Sequence, residues 1–139
     1  MNDGGLEAER DAHLGGGVVK SDGENRDLRE RTKAFALRII RLYSSLPKTT
    51  LAQILGKQIL RSGTSVGAHY REAHRARSTA EFISKIEGGL QELEETGYWL
   101  ELLADSEVMP AGRLANLRKE AEELTAILAS CAITAKKGK

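Results

Sequence analysis

The sequence predicts an all-α fold, an antiparallel up-down-up-down four-helix bundle. Three observations predict it: apolar residues recur at steps of three and four through four long segments, Pro47 and Pro110 separate them, and nothing alternates like a strand. The first segment starts at Asp27, with Glu30 three residues on, and carries Phe35, Ile39, Leu42 and Leu46 to the stop at Pro47. The second opens at Thr50 with Gln53 in a capping-box pattern and places Leu51, Leu55, Ile59, Val66 and Tyr70 on one face. The third opens with Ser78 and Glu81, a second capping box, and repeats Phe82, Ile86, Gly89, Leu93, Thr96, Leu100 and Leu103. The fourth follows Pro110, which suits a first helical turn, and runs through Leu114, Leu117, Ala121, Leu124, Leu128 and Cys131.

Glycine costs about 1 kcal/mol inside a helix, so Gly56, Gly63, Gly67, Gly88, Gly89 and Gly97 need a reason. Close contact between the second and third helices is the expected one. Around the third helix, Phe82, Ile86, Leu93 and Leu100 cluster on one side, while Tyr98, Trp99 and Leu102 fall roughly opposite. That second apolar face predicts an oligomer interface, since aromatic residues are enriched where subunits meet; the alternative is that the loop before Pro110 or the tail covers it.

The formal charge of +1 over 139 residues conceals a division. Residues 1 to 25 hold six of the fourteen glycines and six acids against Arg10 and Lys20, a composition that predicts a disordered acidic tail. Without it, nineteen basic and fourteen acidic groups remain, a net of +5 on the expected bundle, residues 26 to 135, and a basic C-terminal tail, 136 to 139. Between Lys57 and Lys85 the basic residues are Lys57, Arg61, Arg71, Arg75, Arg77 and Lys85, with only Glu72 and Glu81 against them. From Ile86 to Gly112 the charges are all acidic, so a bundle with one basic end is expected.

Arginine forks bind phosphate bidentately, and concentrated cations attract a polyanion by releasing its counterions. Lys57, Arg61, Arg71, Arg75, Arg77 and Lys85 are therefore the candidate nucleic-acid contacts. Equally open from spacing alone is that the cations near the end of the second helix complement its macrodipole, with Arg61 paired to an acid on a neighbouring helix or subunit. His69 and His74, five apart, lie on different helix faces and are not read as metal ligands; Cys131 lies in an apolar stripe and reads as a buried small hydrophobe. No Walker motif, GxGxxG, HExxH or Glu-x-x-His pair occurs, so no enzymatic activity, cofactor or metal is expected. A single cysteine, no signal-peptide pattern and no apolar run of roughly 20 residues lead to an expected cytoplasmic protein without membrane association.

From "FALRIIRLYSSLP" through "RSGTSVGA" at Arg61 to Ala68, "YREA" at Tyr70 to Ala73, "RARS" at Arg75 to Ser78, "AEFISK" at Ala80 to Lys85 and "YWLELL" at Tyr98 to Leu103, the chain resembles the bacterial four helix bundle protein family. That family includes proteins encoded by intervening sequences within 23S ribosomal RNA genes and is related to the accessory protein of diversity-generating retroelements. The resemblance covers about residues 32 to 130. It implies a homopentameric ring with a basic, nucleic-acid-binding surface, carried here by the matched positions Arg61, Arg71, Arg75 and Arg77. His69 stands where asparagine is usual, and the glycine-rich acidic tail has no counterpart in the pattern. The resulting expectation is a non-enzymatic oligomer that binds structured RNA or DNA. The alternative is a scaffold whose basic end docks a partner protein such as a reverse transcriptase.

Overall fold

Four helices, α1 (Asp22–Ser45), α2 (Thr50–His74), α3 (Thr79–Asp105) and α4 (Ala111–Lys137), account for nearly all of residues 22–138, the part of the chain that the computed structural model describes. Among the described residues there is no strand. In chain order α1 packs on α2, α2 on α3 and α3 on α4, while α1 and α4 meet more sparsely. The periodic residues of all four helices converge on one core. Phe35, Ile39, Ile59, Val66, Ile86, Leu100, Leu114, Leu124 and Leu128 are fully buried, and each such side chain contributes about 1.5–3 kcal/mol relative to exposure. Cys131 is buried among them, as its place in the apolar stripe predicts.

The helix ends show where local chemistry departs from the sequence expectation. α1 begins at Asp22, five residues ahead of the expected start, and Asn25 Oδ1 accepts a 2.9 Å hydrogen bond from the Tyr70 hydroxyl on α2. Residues 22 to 25, which composition assigns to the acidic tail, are therefore helical; the rest of that predicted tail lies outside the described residues. The cap of α2 is Thr49 rather than Thr50, its hydroxyl accepting from Ala52 N at 3.2 Å. Gln53 makes no capping box there: its amide donates to Pro47 O and accepts from the Tyr43 hydroxyl. Ser78 does cap α3 by accepting from Glu81 N, and the Glu81 carboxylate returns to the N–H of Arg77, one residue before the cap.

α3 ends in a Schellman arrangement, with Glu107 N bonded to Ala104 O at 3.0 Å and Val108 N to Leu103 O at 3.1 Å. The left-handed residue this motif requires is Glu107, φ 64°, where glycine is usual. At the other end of α4, Lys136 and Lys137 are part of the helix, so the basic C-terminal segment continues the bundle as far as Lys137.

The helical glycines do serve close contact, but mostly not where expected. An added Cβ would lie 2.7 Å from Leu46 at Gly56, 2.6 Å from Ile39 at Gly63 and 3.1 Å from Thr32 at Gly67, so all three bring α2 against α1 rather than α3. Gly88 and Gly89 on α3 do face α2, at His69 and Val66, whereas Gly97 faces open space.

Candidate functional site

Because Ile59, Val66 and Tyr70 point inward, Lys57, Arg61 and Arg71 on the same helix fall on the outer face of α2, and exposed Arg75 follows at its C-cap. Lys57, Arg71 and Arg75, together with Arg77 in the α2–α3 connection, form no ion pair among the described residues. Arg71 also borders a groove of about 350 Å³ whose walls are Thr32, Lys33 and Ala36 from α1 and Thr64, Gly67 and Ala68 from α2. Small residues keep that groove open between two cations. Sequence spacing does not single out Lys33, because its neighbourhood with Arg71 arises only when the glycine face of α2 seats on α1.

The other two sequence candidates sit in a different environment. The Arg61 guanidinium meets Glu92 at 3.6 Å and bonds to Glu95, whose Oε2 also accepts from the Trp99 indole at 3.1 Å. Lys85 lies 3.2 Å from Glu72 across the α2–α3 seam. His69 is wedged into the same seam, Nε2 3.8 Å from Glu92 and Nδ1 3.9 Å from Glu72, with buried Nδ1 making no hydrogen bond inside the protein. Lys136 of α4 reaches Glu87 at 3.0 Å. Much of the acid on α3 that has no basic neighbour in sequence is thus matched by cations from α2 and α4. Of the two alternatives open at Arg61, pairing with a neighbouring helix is what its geometry displays.

A further cation pairs on the seam between α1 and α4. Arg31 reaches Glu120 at 2.8 Å and Glu123 at 3.1 Å. Hydrogen bonding to Glu120 raises the Arg31 pKa above its ordinary value despite partial desolvation.

The third predicted group separates as well. Tyr98 is exposed, but Trp99 and Leu102 are half-buried against the bundle's own core, so the second apolar face of α3 is smaller than helical geometry alone suggests. The Tyr98 and Trp99 rings lie 5.2 Å apart, tilted by 55°. Among the described residues no group of three His, Cys, Asp or Glu could hold a metal ion, and no helix is long and apolar enough to cross a membrane.

Four helices packed around one apolar core, with ion pairs across their seams, define the class as an all-α four-helix bundle. Within that class the chain belongs to the 23S rRNA-intervening sequence protein family, whose model matches residues 24–130. It is similar to the crystal structure of a protein with unknown function from the S23 ribosomal protein family of Bacteroides thetaiotaomicron VPI-5482. The two are 38% identical, with a TM-score of 0.73, over 78% of this chain and 96% of that one. No curated protein matches.

Proposed function

We propose that the protein is a non-enzymatic oligomer of antiparallel four-helix bundles that binds structured RNA or DNA through backbone phosphates. The observation that carries this reading is the division among the cations: Arg61 and Lys85 are opposed by carboxylates, whereas Lys57, Arg71, Arg75 and Arg77 form no ion pair among the described residues. The latter four, with Lys33 beside Arg71, are the contacts we assign to phosphate. Antiparallel packing of α2 and α3 is supported by their register, since Arg61 meets Glu95 while His69, farther along α2, meets the earlier residues Gly88 and Glu92. Tyr98, with the exposed edges of Trp99 and Leu102, is the surface assigned to subunit contact, and a pentamer is the assembly the family resemblance implies.

Ring assembly strengthens a modest patch by raising the effective concentration of binding groups. Fluorescence anisotropy with 23S ribosomal RNA fragments at low and moderate salt tests the reading. Changing Arg71, Arg75 and Arg77 together to Ala should weaken binding and flatten the salt dependence by about 0.7–0.9 for each phosphate no longer neutralised. Unchanged affinity in that variant removes the assignment, and a monomer in light scattering removes the ring.

A further inference from the structure

The described cations include a second unpaired group, on the seam between α1 and α4. Arg38, Arg41 and Ser45 of α1 and Arg113 and Asn116 of α4 line a cleft of about 380 Å³, floored by buried residues including Leu42, Met109 and Leu114. No carboxylate among the described residues pairs with any of the three arginines. Farther along the same seam Arg31 has Glu120 and Glu123, so the two helices can supply acids to a seam arginine.

Helix stability does not account for the cluster. The last turn of α1 holds no basic residue, so Arg41, and still more Arg38 about two turns from that end, gain little from the macrodipole. Arg113 is in the first turn of α4, where the positive end of the dipole favours an acid. That turn contains no acidic residue, and Pro110 provides no side-chain cap. Three arginines with no carboxylate partner among the described residues thus line one cleft, an arrangement that repels itself until an anion enters.

We infer that the α1–α4 cleft is a second phosphate-binding site, taking phosphodiester groups of a nucleic-acid strand between Arg38, Arg41 and Arg113. The cleft is open to solvent, so it admits a continuous strand as readily as a chain end. The site lies away from the outer face of α2 and stands on its own geometry; only the source of the phosphate rests on the function proposed above.

The test compares the full-length protein with a variant carrying Arg38→Gln, Arg41→Gln and Arg113→Gln, checked for folding by circular dichroism. A labelled RNA hairpin and a single strand of equal length are titrated by anisotropy across a salt series. The variant should bind at least about tenfold more weakly, with a salt slope reduced by about two. Replacement of the same arginines by lysine should keep the slope while losing affinity, because the charge remains and the fork does not. Wild-type binding with equal affinity and slope in the Gln variant overturns the cleft alone. If wild type binds neither RNA, the function proposed above fails. In that case ATP or pyrophosphate that raises the melting temperature of wild type but not of the Gln variant replaces the strand with a free phosphate ligand, and no such shift overturns the site altogether.

Discussion

Across the seam between α2 and α3, Arg61 faces Glu92 and Glu95, Lys85 faces Glu72, and Ser62 meets Thr96 in the interior. At one end of the seam between α1 and α4, three arginines share a cleft with no carboxylate partner among the described residues. The first seam opposes its arginine and lysine with carboxylates from within, so those charges hold helices together and offer little to a ligand. The second leaves charge unmatched where two helices already meet sparsely. Basic residues alone therefore do not distinguish the two seams; the presence or absence of an acid across the seam does.

The largest expected effect tests whether the α2–α3 seam is structural. Ser62 and Thr96 are both fully buried, their hydroxyl oxygens 2.8 Å apart, and the Thr96 hydroxyl is also 2.7 Å from Glu92 O. Thr96→Val deprives Ser62 of its cross-helix partner and should cost about 1–3 kcal/mol in urea denaturation. Ser62→Ala leaves Thr96 its bond to Glu92 O and should cost less. Equal losses from the two would show that the seam does not depend on this pair as described.

Next in size is a test at the α1–α2 seam, where neutral groups do the joining. Burial is the main cause raising the Tyr70 pKa above its ordinary 10.0, so the native protein holds the phenolic proton more tightly than the unfolded chain. The associated stability is full below pH 10 and declines as pH rises past it toward the higher native value. Tyr70→Phe loses the hydrogen bond to Asn25, about 1 kcal/mol at neutral pH, yet should lose less further stability than wild type above pH 10. Parallel alkaline stability curves for the two proteins would contradict the buried, protonated phenol.

The core and the site differ in how much of each the sequence displays. Phe35, Ile39, Leu93 and Leu124 follow a spacing that has one geometric solution, and they are buried as it requires. The end of α3 is less legible, because Glu107 occupies a left-handed position where glycine would have announced the turn. Arg61 and Arg71 share an outer helix face and a charge, and nothing local distinguishes them. Their difference lies on other helices: Glu92 and Glu95 oppose one, while Lys33 adds to the other. For the same reason Arg38, Arg41 and Arg113 read as ordinary solvated residues until α1 and α4 come together. Periodicity specifies what faces inward; partnership on the surface is a nonlocal property.

The smallest effects carry the sharpest contrast because they should differ in sign. Arg61 is exposed enough for solvent to screen its ion pair, so a double-mutant cycle with Arg61→Ala and Glu95→Ala should give a coupling of about 0.2–1 kcal/mol that weakens with salt. Arg38→Gln removes one of three like charges from the cleft and breaks no ion pair among the described residues. Without ligand at low salt it should stabilise the protein by a few tenths, about 0.2–0.5 kcal/mol, and this gain should vanish at high salt. With saturating RNA the order should reverse, because wild type then gains binding free energy that the variant lacks. A destabilised ligand-free Arg38→Gln protein would mean that Arg38 already has an internal partner, and the distinction between the two seams would fail at that residue.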